Sequence, residues 1–368
     1  MNDYERPVFF HVMEYADSAD HDVIDMVSGD PDWEPPKALR AALETYANAD
    51  VDEFQYPQSH GLTALREAIA TRRNVDVERV VITNGAGEAN YLTTACGLRA
   101  LKGDEVVTAD PVYPYYHSRT QMLDATPRLV ATRADGSLDP EAVRDVVSES
   151  TAVIVVNSPN NPTGAVYGRE TKRELVEIAE EYDALLVSDE VYDQFVYEDG
   201  AFASVLEFES ENAVVTNSFS KSMAITGFRV GYTIVPEWLI DDVRTRHMLV
   251  NVAGSRPAQQ AVLQALEETP TSYYESTRRL LDSRIDAFCA ALDEAGAAYT
   301  RPRGSFYVMA RFDGYPGTLA NVERLIDEAG VACMPGDAFG DSRADWLRFA
   351  LVTPRAEAGA VRLASFFG

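Results

Sequence analysis

The chain has 368 residues, 46% of them hydrophobic, and its formal net charge is −27 because 59 Asp and Glu residues outnumber 32 Lys and Arg residues. That hydrophobic content excludes a disordered chain, and the negative charge excludes nucleic-acid phosphates and anionic membranes as partners. The length favours two domains.

Strand and helix patterns alternate from about residue 80 onwards. Predicted strands lie at 80–83, 105–108, 152–156, 184–188, 213–216 and 229–235, and predicted helices at about 88–100 and 170–182. The run at 152–156 is wholly apolar, which is typical of a strand buried on both faces. The alternation predicts an α/β domain with a mostly parallel sheet, in which ligands bind beyond the carboxyl ends of the strands.

The pattern changes after about Pro257. A long helical region covers 258–296 with an interruption near Pro270, and short strands are predicted at 304–309 and 346–350. This part predicts a second, smaller α+β domain that also includes the N-terminal residues. The predicted boundaries are 46–280 for the large domain, and 1–45 with 281–368 for the small domain.

The acidic residues are spread along the chain rather than gathered in one tail. Such a distribution is typical of an acidic shell in high salt, and it favours a salt-adapted organism over a surface for basic partners. The sequence has no uncharged apolar stretch long enough for a membrane span, and its charged first residues predict no secretory signal. We therefore expect a cytoplasmic protein.

Cysteine and histidine give no sign of a metal site. Cys96, Cys289 and Cys333 are far apart and form no Cys-x-x-Cys motif, and the five histidines show no ligand spacing. We expect the cysteines to be reduced and buried, and we predict no bound metal.

Small or aromatic residues follow the first two predicted strands. Residues 84–87 open a helix with free N–H groups that suit a phosphate, although a tight turn without a ligand explains them equally well. They also match half of a dinucleotide-binding motif, whose third glycine is replaced by Asn90. The aromatic segment 110–116 suits either a stacked flat ring or a packed loop.

Polar residues follow the next strands. The loop 157–164 presents an amide side chain, and Asp189 at a strand end suits a protonated ring nitrogen. Lys221 follows the strand after that, in a chain with only four lysines. Because arginine carries nearly all other positive charge, a retained lysine indicates a need for an amine, which forms an imine with an aldehyde.

These residues form one pattern along the chain. Asp189 and Tyr192 come 28 and 31 residues after Asn161, and Arg229 comes eight residues after Lys221. In this combination the chain, from residue 29 to residue 348, resembles the fold-type I pyridoxal-phosphate enzymes, specifically the class I aminotransferases of the aspartate and aromatic type. The resemblance implies a seven-stranded sheet and ping-pong transfer of an amino group from an L-amino acid to a 2-oxo acid.

The resemblance also implies roles for residues that touch the reacting atoms. Lys221 would form the Schiff base with pyridoxal phosphate and move a proton, and Asp189 would pair with the ring nitrogen. The remaining implied contacts are Asn161 and Tyr192 on the ring oxygen O3′, Tyr113 on the ring face, and Arg348, Gly29 and Asn161 on the substrate.

Further residues would bind the cofactor phosphate according to the same resemblance. They are Gly85, Ala86, Gly87, Ser218, Ser220 and Arg229, with Tyr56 reaching the phosphate of the neighbouring subunit. That last contact implies a homodimer with shared active sites.

Several alternatives stay open. A β-eliminating C–S lyase or a decarboxylating enzyme would use the same lysine and arginine. A non-catalytic sensor domain is disfavoured by the acidic charge, and a nucleotide-dependent oxidoreductase leaves Lys221 and Arg348 unexplained. Arg256 has three candidate roles, namely a distal acid group of the substrate, the phosphate across the dimer, or a surface ion pair. The substrate itself is not predicted.

Overall fold

The computed structural model describes residues 7–368, so Asp3, Glu5 and Arg6, on which the prediction of no secretory signal depends, lie outside the described residues. The helices are α1 Val8–Asp17, α2 Lys37–Tyr46, α3 Thr63–Arg73, α4 Gly85–Ala100, α5 Pro114–Met122, α6 Pro140–Arg144, α7 Arg169–Glu181, α8 Phe219–Ser222, α9 Ile240–Asn251, α10 Arg256–Glu268, α11 Thr271–Glu294, α12 Leu319–Ala329 and α13 Ala356–Phe367. The strands are β1 Ile24–Asp25, β2 Val80–Thr83, β3 Glu105–Asp110, β4 Thr126–Ala131, β5 Thr151–Asn157, β6 Leu185–Asp189, β7 Ala213–Ser218, β8 Gly231–Ile234, β9 Ala298–Tyr299, β10 Tyr307–Arg311, β11 Val331–Ala332, β12 Met334–Pro335 and β13 Leu347–Ala350.

Seven strands form the central sheet, in the order β2-β8-β7-β6-β5-β3-β4. Neighbouring strands are parallel except for β8, which runs antiparallel to both β2 and β7. Strands β5 and β6 are buried at every residue because apolar clusters cover both faces of the sheet. The predicted α/β fold with a mostly parallel, seven-stranded sheet flanked by helices is confirmed.

A second unit packs around a four-stranded antiparallel sheet, in the order β12-β13-β10-β9. Its apolar core joins β10 and β13 to helices α11, α12 and α13. The smaller α+β part is therefore confirmed, while the domain boundaries stay a prediction. Two residues of the predicted N-terminal segment, Leu39 and Ala42 on α2, lie instead in the apolar cluster of the large sheet, against α10.

The register of the central sheet brings several loops to one edge. Asn157 at the end of β5 is paired with Asp189 at the end of β6, and Asp189 is paired with Thr216 near the end of β7. The loops that follow these strands therefore begin side by side. Across residues 7–368, none of the helices combines the length and the apolar character needed to cross a membrane.

Candidate active site

A cavity of about 440 Å³ opens at this edge, between the large sheet and the small unit. Twelve residues predicted for the site line it: Gly29, Ala86, Gly87, Tyr113, Asn161, Asp189, Tyr192, Ser218, Ser220, Lys221, Arg229 and Arg348. Two others, Gly85 and Tyr56, are not among its lining residues. The fold thus brings together residues that are more than 300 positions apart in the sequence.

Lys221 lies on the short helix α8, which begins directly after β7. Its Nζ donates a hydrogen bond of 2.8 Å to the carbonyl oxygen of Gly29. Burial, together with the nearby Arg229 and Arg348, lowers the pKa of Lys221 to about 8, while Asp30 opposes the shift. A larger fraction of this amine is therefore neutral, and so nucleophilic, at physiological pH than for an ordinary lysine.

Asp189 ends β6 and is buried, with its carboxylate fixed by two neighbours. The hydroxyl of Tyr116 donates to Oδ2 at 2.5 Å, and Nδ2 of Asn90 donates to the same oxygen at 2.6 Å. Asn90 is itself oriented by Thr216, whose hydroxyl donates to Asn90 Oδ1 at 2.7 Å. Burial raises the pKa of Asp189, and the hydrogen bonds from Tyr116 and Asn90 lower it.

Tyr116 and Asn90 occur in segments noted in the sequence, but their hydrogen bonds to Asp189 are not predictable from it. Both lie within helices, Tyr116 on α5 and Asn90 on α4, and not directly after a strand. The available signal is helical spacing, because Tyr116 follows the predicted ring-stacking Tyr113 by three residues and such residues are neighbours on a helix face.

The first turn of α4 and Arg229 form a cradle lined by backbone N–H groups. Gly85 begins α4 with φ +77°, and a Cβ at this position would lie 2.5 Å from Arg229 Nη2. Arg229 donates to the carbonyl oxygens of Thr226 at 2.8 Å and Asn84 at 3.1 Å. Glycine at 85 therefore leaves the space that Arg229 occupies, and the helix N-terminus with this guanidinium favours an anion.

Arg348 on β13 supplies a second guanidinium from the small unit. It is buried, lies over the ring of Tyr307 at 4.6 Å, and donates from Nη2 to the carbonyl oxygen of Val27 at 2.7 Å. Its Nε is buried without a hydrogen-bond partner in residues 7–368. A Cβ at Gly29 would collide with the Tyr307 hydroxyl and lie 3.5 Å from Lys221 Nζ, so a side chain here would have to displace Tyr307.

The sequence matches the family model for aminotransferase class I and II over residues 21–361. The chain belongs to this family. It is 32% identical to the aspartate aminotransferase of Pyrococcus horikoshii over 91% of this chain and 87% of that protein. It is also 32% identical to the aspartate/prephenate aminotransferase of Thermus thermophilus over 86% of this chain and 84% of that protein.

A solved structure gives the same result at the level of the fold. The aspartate aminotransferase of Thermus thermophilus with maleate superposes with a TM-score of 0.91 at 29% identity, over 98% of this chain and 97% of that chain. This protein is a pyridoxal-phosphate-dependent aminotransferase with an amino acid and a 2-oxo acid as substrates. The predicted family, enzyme class and cofactor are confirmed.

The residues present in the cavity fit pyridoxal phosphate. The amide oxygen of Asn161 is buried without a hydrogen-bond partner in the described residues, and the side chain lines the cavity. Rotation of the Asn161 amide by 180° places its nitrogen where the unpaired oxygen lies. In that orientation Asn161 offers a free N–H donor to a ring oxygen. Tyr192 lies nearby, with its hydroxyl 3.2 Å from that of Tyr307. The amine of Lys221 and the cradle at α4 complete a set that suits an aldehyde and a phosphate.

Tyr56 and Arg256 lie outside the cavity. Tyr56 is 80% exposed. Arg256 forms an ion pair of 2.6 Å with Glu53 and donates to the carbonyl oxygen of Asp52 at 3.1 Å. The ion pair is one of the three roles left open for Arg256, and it fastens the segment that precedes Tyr56. The roles at a distal acid group and at the phosphate across the dimer stay predictions.

Proposed function

We propose that this aminotransferase transfers the amino group of an L-amino acid to a 2-oxo acid with Lys221 as the proton carrier and Arg348 as the site for the substrate α-carboxylate. The observation that supports this assignment most directly is the position of Lys221 Nζ, which is 2.8 Å from the carbonyl oxygen of Gly29 inside the cavity. Burial lowers the pKa of Lys221, which suits a group that must both accept and donate a proton near neutral pH.

Each residue then has a defined task. When bound, pyridoxal phosphate supplies an aldehyde that condenses with amines and a ring that withdraws electrons from the substrate Cα. Arg348 binds the α-carboxylate through two parallel N–H donors and so fixes the direction of the Cα–H bond. The neutral Lys221 amine would accept the proton from the substrate Cα and, as an ammonium group, would donate it to C4′ of the bound cofactor. Asp189 keeps the ring nitrogen protonated.

The amide of Asn161 and the hydroxyl of Tyr192 donate to the ring oxygen O3′ in this proposal. The backbone N–H groups of Ala86 and Gly87, with Arg229, bind the phosphate. Gly85, Ser218 and Ser220 complete that cradle, and Tyr113 stacks on the ring. These assignments rest on the lining of one cavity and on the match between donors, acceptors and charges there.

We also propose a homodimer in which Tyr56 reaches the site of the partner. Support comes from exposed apolar side chains in the segment that precedes Tyr56: Val51 is 74% exposed and Phe54 is 56% exposed. Several large exposed apolar side chains in one segment are typical of an interaction surface. Sedimentation at micromolar concentration tests the dimer, and a purely monomeric active enzyme contradicts it. The cytoplasmic location stays a prediction.

An absorbance experiment tests the proposed chemistry. The wild-type holoenzyme is titrated with single L-amino acids and then with 2-oxo acids, beside Lys221→Ala and the control Lys102→Ala at an exposed lysine. The names of the relatives make aspartate, prephenate and aromatic amino acids the first compounds to try. We expect a visible band in wild type and in Lys102→Ala that disappears with an amino acid and returns with a 2-oxo acid. The same cycle in Lys221→Ala would refute the role of Lys221.

A further inference from the structure

The cavity is cationic although the protein carries a net charge of −27. Among residues 7–368, four basic residues and two acidic residues line it: Lys221, Arg119, Arg229 and Arg348 against Asp30 and Asp189. A positive cavity in so acidic a chain attracts anions. The proposed function uses three of the four cations, and it leaves Arg119 without a task.

Arg119 lies on α5, one turn after Tyr116. Its guanidinium is half-buried, stands 5.6 Å from the centre of the Tyr115 ring, and makes no ion pair or hydrogen bond with any residue in 7–368. A Cβ at Gly87 would come within 3.3 Å of Arg119 Nη2, so the side chain reaches the first turn of α4. Asp189 lies within electrostatic reach of Arg119, but Oδ2 of that carboxylate already accepts hydrogen bonds from Tyr116 and Asn90. The guanidinium therefore keeps unused hydrogen-bond donors at the cavity, which suits an anionic ligand.

We infer that Arg119 binds the side-chain carboxylate of a dicarboxylic substrate. The inference rests on the proposed function, because it requires the α-carboxylate to occupy Arg348. The rings of Tyr113 and Tyr115 pack at 4.7 Å between centroids. Tyr113 also lies within electrostatic reach of Arg348, while Tyr115 lies beside Arg119. The two guanidinium groups therefore flank one aromatic pair, an arrangement that suits a short molecule with an acid at each end.

The other anion in this cavity is the cofactor phosphate, and the geometry assigns it to a different arginine. Arg229 lies against Gly85 at the start of the α4 turn, where two carbonyl oxygens fix its guanidinium. Arg119 approaches the same turn from the opposite end, at Gly87, and from the side of the tyrosine pair. In the inferred arrangement, Arg229 holds the phosphate and a carboxylate that extends past Tyr113 meets Arg119. The Kd of pyridoxal phosphate in an Arg119 variant separates these two anions.

The test compares the holoenzymes of wild type, Arg119→Met and Arg119→Lys. The matched control is Arg311→Met, because Arg311 also lies over an aromatic ring, at 5.9 Å from Trp346, but outside the cavity. Three quantities are measured: kcat/KM for L-aspartate and for L-alanine, the Kd of maleate by calorimetry, and the Kd of pyridoxal phosphate by equilibrium dialysis. Calorimetry reports binding without turnover.

We expect Arg119→Met to lower the aspartate-to-alanine ratio of kcat/KM by on the order of 10- to 100-fold. The Kd of maleate should rise by a similar factor. Arg119→Lys should recover part of both, and Arg311→Met should match wild type. The Kd of pyridoxal phosphate should change by less than about threefold in Arg119→Met.

Three results would overturn the inference. An aspartate-to-alanine ratio of kcat/KM that is unchanged in Arg119→Met would mean that Arg119 does not determine substrate specificity. If Arg119→Met raises the Kd of pyridoxal phosphate as much as it raises the Kd of maleate, Arg119 is a ligand of the phosphate. A wild-type enzyme with a higher kcat/KM for L-alanine than for L-aspartate would mean that the cavity has no site for a distal carboxylate. Failure of the proposed function is separate, because it appears as the absence of turnover in wild type with every amino acid, whereas maleate binding through Arg119 persists.

Discussion

At the scale of single residues, the ionisation of Lys221 makes a direct prediction. Burial lowers its pKa to about 8, whereas an ordinary lysine titrates at about 10.4. Only the neutral amine attacks an aldehyde. When pyridoxal phosphate is added to the cofactor-free protein, the rate of band formation should therefore rise about tenfold per pH unit below pH 8 and level off above it.

Stopped-flow absorbance between pH 6 and 10 measures that rate. Pyridoxine phosphate, which has no aldehyde, serves as the control for any pH dependence of simple binding. A rate that continues to rise up to pH 10 would mean that Lys221 titrates as a free lysine.

Tyr116 carries a second prediction at this scale. Its hydroxyl donates to Asp189 and so stabilises the carboxylate, which means that Tyr116→Phe should raise the pKa of Asp189. A higher pKa weakens the pairing with the ring nitrogen. We expect kcat to fall about tenfold and the acid limb of its pH profile to move to higher pH. Tyr167→Phe is the matched control, because the Tyr167 hydroxyl is buried and unpaired in the described residues, and Tyr167 does not line the cavity.

Measured pH profiles of both variants decide the question. An equal loss in Tyr167→Phe would mean a general packing defect, and an unmoved acid limb in Tyr116→Phe would mean that the hydroxyl does not act through Asp189.

The same residues mark the limit of prediction from sequence. Lys221 and Asp189 are predictable as cavity residues because each lies at or directly after the end of a strand, where parallel sheets open. Tyr116, Asn90 and Arg119 lie on helices, and the face that a helix presents to a cavity depends on packing against distant strands. A periodic pattern identifies neighbours on a helix, but it does not identify what they face.

At the scale of elements, the buried strands were the easiest to predict. Continuous apolar runs identify β5 and β6, and their bounds agree with the prediction within two residues. Strand β4 was missed, since it lies at the edge of the sheet, contains Pro127 and alternates between exposed and half-buried residues along most of its length. Edge strands carry polar residues and proline, which resemble a loop in the sequence.

The junction between β8 and α4 carries the third prediction. Gly231 begins β8, and a Cβ there would lie 2.6 Å from the carbonyl carbon of Gly85 and 2.7 Å from the carbonyl oxygen of Asn217. Both neighbours are backbone atoms, which cannot move out of the way by a change of side-chain rotamer. Gly231→Ala must therefore move the start of α4 away from the sheet. We expect about 1–3 kcal/mol less stability and at least tenfold weaker binding of pyridoxal phosphate.

Urea unfolding and equilibrium dialysis measure the two effects. Gly227→Ala is the control, because Gly227 is exposed and a Cβ there meets nothing within 4 Å. Weak binding in both variants would mean that the cradle does not depend on the close approach at Gly231.

At the scale of the whole molecule, the site joins two units that are separate in the sequence. Asp189 ends β6 of the large sheet and Lys221 lies on α8 directly after β7, whereas Arg348 and Tyr307 come from β13 and β10 of the small sheet. The motifs predict both sets, but their distance depends on how the units pack. That packing is governed by apolar surfaces without a local sequence signature.

The charge of the whole molecule carries the last prediction. At a net −27 the folded chain repels itself, and the repulsion is weaker in the expanded unfolded state. Salt shortens the screening length from about 10 Å at 0.1 M to about 3 Å at 1 M. Between these concentrations of KCl, Tm should therefore rise by about 5 °C or more.

Exposed ion pairs oppose this trend, because screening also weakens attractions such as that between Arg324 and Glu328. Each such pair contributes little, whereas the excess of acids acts over the whole surface. Scanning calorimetry in KCl measures the balance, and sucrose at equal osmolality controls for effects unrelated to charge. A Tm that stays constant or falls with KCl would mean that the acidic surface is offset by its arginine pairs and that the salt-adapted interpretation is wrong.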